Sequence, residues 1–172
     1  MNKEGRRQRK LLSRRFSGRK QSALILVEGI AVILMATAVL FYFVLGVTSV
    51  SGESMFPSFM NHETVIFLRI PIDYQVGDVV GIKMTNGEHY IKRIVARAGD
   101  TVDLQNGRLL VNGQVMDESY AVGQTLPEAG NVTYPLTLGD QQYFVLGDNR
   151  ENSTDSRTFG PVVKSQIEGK IL

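Results

Sequence analysis

The chain has 172 residues, with 19 Lys and Arg against 17 Asp and Glu. It contains no cysteine, which excludes a disulfide framework and thiolate chemistry. The net charge of +2 conceals two parts of opposite sign: nine bases and a single acid lie between Lys3 and Lys20, about +8, and everything after sums to −6.

Residues 1–22 form this basic arm. Such an arm reads either as a nucleic-acid contact or as the cytoplasmic flank of a membrane helix, and the next segment decides for the flank. From Gly29 to Val47 there are 19 residues without a charge. As a helix they span about 28 Å, close to the hydrocarbon thickness of a bilayer. The apolar character begins at Ala23 and is interrupted only by Glu28, near enough to the helix end to reach the interface. Val47 and Ser49 mimic a weak cleavage site, but the run is longer than the core of a cleaved signal peptide. Residues 23–47 are therefore expected to be an uncleaved signal anchor. The basic arm before it stays in the cytoplasm by the positive-inside rule, and residues 48–172 follow outside. Membrane lipid is thus an expected partner, and nucleic acid is not.

The outer part, 125 residues from Thr48 to Leu172, is enough for one hydrophobic core. Its signals are mostly β. Glu63 to Ile70, Asp78 to Lys83 and His89 to Ala96 are rich in β-branched and aromatic residues. Thr85-Asn86-Gly87 between the last two is a hairpin signal. Asn106-Gly107 and Asn112-Gly113 are two more, flanking the short run Arg108 to Val111 in a small meander. Tyr143 to Leu146 is another short strand. Glu118 to Tyr134 has no period and reads as a surface loop. The expected class is mainly β: a single N-terminal transmembrane helix followed by a β domain.

Three segments bear on chemistry. Ser51-Gly52-Glu53-Ser54-Met55-Phe56-Pro57-Ser58 is, taken alone, a hydroxyl-rich turn. In Tyr90-Ile91-Lys92-Arg93-Ile94-Val95, adjacent bases on a strand must point to opposite faces. Either Lys92 or Arg93 then faces inward, unless the ammonium snorkels out to water. Gly147 to Arg157 is dense in turn formers and charge and resembles an exposed loop. The two histidines, His62 and His89, read as ordinary surface or strand residues. No cluster of His, Cys, Asp or Glu has metal-ligand spacing, and no glycine-rich phosphate loop precedes a helix. Ser17-Gly18-Arg19-Lys20 matches the S-x-x-K pattern of some serine hydrolases. It lies in the basic arm without companion motifs or surroundings that could lower a lysine pKa, so it is a chance match.

Together the segments resemble the type I signal peptidases. Ser54-Met55-Phe56-Pro57 resembles that family's nucleophile box, Gly77-Asp78-Val79-Val80 its next box, and Lys92-Arg93 leading to Gly99-Asp100 its general-base box. Gly147-Asp148-Asn149-Arg150 through Ser153, Asp155, Arg157 and Phe159-Gly160 resembles its last. The order is right, and an anchor precedes the first box. The resemblance implies a mainly β peptidase core and a Ser-Lys dyad that removes signal peptides from exported preproteins, with no metal or other cofactor. By position, Ser54 is the nucleophile and Lys92 its base, with Ser153 hydrogen-bonded to the lysine. Asp148, Arg150, Asp155 and Arg157 would brace the site through ion pairs, and the Ser54 N–H would donate to the oxyanion. Val50, Met55, Phe59, Tyr90 and Ile91 would line a cleft for small side chains. Some members carry a serine two residues before the nucleophile as a second oxyanion donor. Here that position is Gly52, which puts the second donor in doubt.

A lysine can act as base near neutral pH only if its pKa, ordinarily about 10.4, is lowered by about 3 units. Apolar cover from Tyr90, Ile91, Ile94 and Val95 is the expected source. Two rivals remain at this point. One is a self-cleaving Ser-Lys protease of the SOS-repressor kind, against which the membrane helix argues. The other is a membrane-anchored β module without catalysis, which an exposed Lys92 out of reach of Ser54 would favour.

Overall fold

A computed structural model describes residues 3–70, 73–129 and 132–172. Met1 and Asn2 of the basic arm, and Gly130 and Asn131 of the expected surface loop, lie outside the described residues. The chain divides into two units, residues 1–43 and 44–172. The first is one helix, α1 (Lys3–Val44). Its stretch Ser22–Val44 is long and apolar enough to cross a membrane, and none of it is buried by protein.

The helix ends three residues before the expected limit at Val47. Leu45–Ser49 instead forms strand β1, paired antiparallel with β2 (Thr64–Leu68) from Leu45 opposite Leu68 to Ser49 opposite Thr64. An uncharged, β-branched tail suits either conformation. What decides is a partner strand nearly twenty residues on that takes up its backbone groups. Gly46 permits this approach: a Cβ there would come within 2.3 Å of the Phe67 ring.

The remaining strands are β3 (Val79–Lys83), β4 (His89–Arg97), β5 (Thr101–Gln105), β6 (Arg108–Val111), β7 (Gln114–Val115), β8 (Leu136–Thr137), β9 (Gln142–Leu146), β10 (Val162–Val163) and β11 (Ile167–Ile171). A one-turn helix, α2 (Ser156–Phe159), lies between β9 and β10. The fold is mainly β, as expected. One sheet has seven strands in the order β1-β2-β11-β3-β4-β9-β10, and the other has four in the order β7-β6-β5-β8. The turns Asn106-Gly107 and Asn112-Gly113 take positive φ at both residues, the geometry of two-residue hairpins. They fold β5, β6 and β7 into the expected meander.

Strand β11 lies outside the sequence expectation, yet it sits between β2 and β3 in the large sheet. Its pattern I-E-G-K-I is short and broken by Gly169, where a Cβ would meet the Leu68 carbonyl oxygen at 2.3 Å. That glycine weakens the strand signal and is what allows the close pairing.

Three apolar clusters hold the domain. Val95, Ala96, Val102, Leu109, Phe144 and Leu146 fill the space beneath the small sheet. Val80, Ile82, Ile94, Val145 and Val162 pack on another face of the large sheet. Val50, Met55, Val65, Val79 and Ile171 form the third, directly under the Ser54 loop. A register shift in β4 between Ile94 and Ala96 lets this strand feed the first two clusters.

Candidate active site

Ser54 sits in a loop closed upon itself. Val50 N–H donates to the Glu63 carbonyl at 2.8 Å, His62 N–H to the Val50 carbonyl at 2.8 Å, and Phe59 N–H to the Met55 carbonyl at 2.9 Å. Met55, 1% exposed, anchors the loop in the third cluster. A second clamp comes from the far end of the sequence. Asn149 N–H donates to the Ser54 carbonyl at 3.0 Å, and its side-chain amide to the Glu53 carbonyl at 3.2 Å. Gly147 makes room for this contact: a Cβ there would lie 2.6 Å from the Ser54 carbonyl oxygen and 2.1 Å from Ser153 Oγ.

Lys92 is opposite Val80 across the β3–β4 pairing and is 2% exposed. Its Nζ donates to Ser54 Oγ at 2.7 Å and to its neighbour's carbonyl, that of Ile91, at 3.0 Å. The Tyr90 ring lies 5.4 Å away. Burial lowers the lysine to about 8; the charges of Asp155 and Asp148 act against that fall, and Arg157 adds to it. Burial wins because no carboxylate is within hydrogen-bond reach of the ammonium.

Arg93 points to the other face, as adjacent strand residues must. There it is paired rather than free. It reaches Asp148, which is wholly buried, with Nε at 2.9 Å and Nη2 at 2.7 Å, and it also donates to the Gly77 carbonyl at 2.8 Å. Its guanidinium carbon lies 4.3 Å from the centre of the Tyr120 ring. Arg150 pairs with Glu118 at 2.6 and 2.9 Å and donates to the Gly147 carbonyl. Arg157 pairs with Asp155 at 2.8 and 2.9 Å and with Glu128 at 3.1 Å. Asp155 also caps α2 and accepts from the Gly147 N–H at 3.0 Å.

A cleft of about 320 Å³ opens beside the dyad. Ser54, Lys92, Val50, Met55, Tyr90 and Ile91 are in its wall. His89 and Glu168, joined at 2.9 Å, stand there too. A serine hydroxyl against a buried, partly neutral amine beside an apolar cleft can perform acyl transfer.

Residues 23–172 match the sequence profile of the family described as Signal peptidase, peptidase S26. The chain belongs to the type I signal peptidases. It is 34% identical over 165 residues to Signal peptidase I S of Bacillus subtilis (strain 168), covering 88% of each chain. It is 33% identical over 168 residues to Signal peptidase IB of Staphylococcus aureus (strain N315), covering 85% of this chain and 87% of the relative. Among solved structures, a signal peptidase I from Enterococcus faecalis V583 superposes with a TM-score of 0.50 at 29% identity, over 59% of this chain and 98% of that one.

Two expectations for this signal peptidase chain need correction. Ser153 Oγ is buried without a hydrogen-bond partner, so the expected bond to Lys92 is not made. Phe59 is absent from the cleft wall and packs against the third cluster instead, because its N–H bond to Met55 turns the loop over at that point. Neither His62 nor His89 bonds Ser54. Glu118 and Glu128 pair with Arg150 and Arg157 and carry no signal of it in the sequence. Both lie in a stretch without periodicity, and only the fold brings them to buried arginines. Asn149 was visible within its box, but its grip on the Ser54 loop spans almost a hundred residues.

Proposed function

We propose that this chain is a membrane-bound serine endopeptidase that removes signal peptides from exported preproteins through a Ser54–Lys92 dyad. The observation that carries the reading is the 2.7 Å contact between Ser54 Oγ and a Lys92 that is 2% exposed. It speaks against a plain binding module, for which an exposed lysine out of reach was expected. Family membership supports the substrate class.

When Lys92 is neutral, the Ser54 hydroxyl donates its proton to the Nζ lone pair as Oγ attacks the scissile carbonyl carbon. The oxyanion receives the Ser54 backbone N–H, which has no other partner among the described residues. Collapse expels the amine of the mature protein, which takes the proton back from Lys92. The signal segment remains as an ester on Ser54. Lys92 then accepts a proton from water as the water attacks the ester, and it returns that proton to Ser54 Oγ as the ester bond breaks and the segment leaves as a carboxylic acid. The apolar wall of Val50, Met55, Tyr90 and Ile91 takes small side chains at the scissile bond. Gly52 has no hydroxyl, so this oxyanion site has fewer side-chain donors than family members with serine there.

The basic arm stays in the cytoplasm, α1 spans the membrane and residues 48–172 act outside. Protease added to the outer face of the membrane should digest the β domain and spare the arm; digestion of the arm alone reverses this orientation. Cleavage of a preprotein by the purified full chain, beside Ser54→Ala, tests the activity. Undiminished cleavage by Ser54→Ala would exclude the dyad.

A further inference from the structure

Strand β3 carries a glycine where its neighbours carry branched side chains. Val79 packs in the third cluster, and Val80 and Ile82 pack in the second, so position 81 faces the third cluster and the cleft. Its cross-strand partner is Ile91, whose carbonyl accepts from Lys92 Nζ. A Cβ on Gly81 would meet nothing within 4 Å, and Gly81 is not among the glycines with positive φ. Neither close packing nor backbone conformation requires a glycine here. What its missing side chain provides is open space in the cleft floor.

Strand β11 is shaped around the same space. Its pairing with β3 passes from Ile167 opposite Ile82 to Gly169 opposite Gly81, so two steps on β11 match one on β3 and Glu168 is the extra residue of a bulge. The bulge turns the strand over. Ile167 packs in the second cluster and Ile171 in the third, although regular strand would leave both on one face. Glu168 thereby reaches across β3 to β4, where its Oε2 meets His89 Nδ1 at 2.9 Å. Two strand spacings, about 9.5 Å, separate β11 from β4, so the pair bridges the face of β3 beside Gly81. Both side chains stand in the cleft wall with Ser54 and Lys92. His89 lies three residues along β4 from Lys92, about 10 Å, so the pair closes the cleft at the end away from the dyad. Glu168 Oε1 and His89 Nε2 have no further protein partner among the described residues.

We propose that Gly81 and the Glu168–His89 pair are specificity-determining residues: they form a deep, polar-ended seat for a long side chain that ends in a hydrogen-bond donor, such as glutamine, two residues before the scissile bond. This rests on the reading of Ser54 as the nucleophile and deepens it. The apolar signal segment approaches along this wall, which includes Val47 of β1, just past the apolar stretch Ser22–Val44. In an extended substrate, alternate side chains share a face and recur about every 6.6–7 Å. With one small side chain beside Ser54, the next on that face lies over Gly81, and a long one reaches the pair. Ile91, Phe67 and Ile171 cover its stem. The free carboxyl oxygen accepts from its tip, whichever ring nitrogen of His89 carries the proton. An aliphatic side chain of equal length fills the seat but strips water from these polar atoms without replacing its hydrogen bonds.

The test uses signal-segment peptides that differ only two residues before the scissile bond, with alanine, methionine or glutamine there; the last two are matched in length. Cleavage by the full chain in detergent gives kcat/KM, and binding of the same peptides to full-length Ser54→Ala gives affinity without cleavage. Glutamine should be favoured over methionine about fivefold in both. Glu168→Leu removes the polar end and should abolish or reverse that ratio. His89→Leu should weaken it, and serves if Glu168→Leu does not fold. Gly81→Val fills the floor and should lower the ratio of glutamine to alanine tenfold or more; a ratio within one variant is insensitive to a general loss of activity. No preference for glutamine in the wild type, or the same preference in every folded variant of the pair, overturns the polar seat. An unchanged ratio in Gly81→Val overturns the role of Gly81. Peptides that bind Ser54→Ala with the glutamine preference but are not cleaved by the wild type would overturn the dyad and leave the seat standing.

Discussion

Lys92 and Arg93 are consecutive residues on β4 with the same formal charge, and they meet opposite environments. Arg93 crosses to a buried carboxylate and is held at two nitrogens. Lys92 enters a space walled by Tyr90, Met55 and Val80, where its partners are a hydroxyl and a carbonyl. A charge with a carboxylate partner survives burial as a structural tie. A charge without one becomes a base. Adjacent positions suffice for the two outcomes because strand geometry sends neighbours to opposite faces.

The sharpest break in this comparison is loss of the base. Lys92→Ala and Ser54→Ala should each lower kcat by about 10⁴-fold or more, and the double variant should be no worse than either, because the two act as a unit. Single-turnover cleavage with the fold checked by circular dichroism measures this. Substantial activity in Lys92→Ala would reopen the question of His89.

Gly147→Ala should come next. The added methyl collides with Ser153 and with the Ser54 carbonyl. A displacement of the nucleophile on that scale is expected to cost about 10²-fold in kcat/KM. Crowding of the core should add about 1–3 kcal/mol of lost stability. Wild-type rates in this variant would mean that the Ser54 loop is not held by the Gly147 contact.

On the arginine side, Asp148→Asn leaves Arg93 without its carboxylate and should destabilise the domain by about 3–5 kcal/mol. Lys92→Met should do the reverse near neutral pH. The folded lysine lies at about 8 and the free one near 10.5, so the unfolded chain binds more protons between these values. Stability therefore rises with pH across that window. Below about pH 8 the full cost of burying the ammonium is present, about 3 kcal/mol. Methionine removes that cost, so Lys92→Met should have the higher denaturation midpoint at pH 7 and lose the advantage above pH 10.5. Equal midpoints at pH 7 would mean that the ammonium is not paying for its burial. By the same balance, the wild-type rate should fall about tenfold per pH unit well below pH 8.

Phe59→Leu should show the smallest effect. It should lower stability by about 1 kcal/mol and change kcat/KM less than twofold, since Phe59 packs beneath the loop and is absent from the cleft wall. A shift in preference at the scissile bond would return Phe59 to the cleft.

Much of this was legible because it depends on local pattern. An uncharged run long enough to span a bilayer, the Asn-Gly turns and the alternation in β3 and β4 all act over a few residues. So does the rule that Lys92 and Arg93 part company. The sequence by itself also determined the class and the order of the four boxes. It left open where α1 ends, because Leu45 to Val47 suit helix or strand until β2 offers its backbone. It could not place β11, whose Gly169 looks like a breaker until Leu68 lies against it. Nor could it reveal that Glu118 and Glu128 reach buried arginines, or that Ser153 is left without a partner. Only the tertiary structure decided which of two adjacent bases meets a carboxylate and which meets a serine. Burial and ion pairing depend on residues brought together across the chain, and the free energy of a buried charge is set by those neighbours rather than by the residues beside it in sequence.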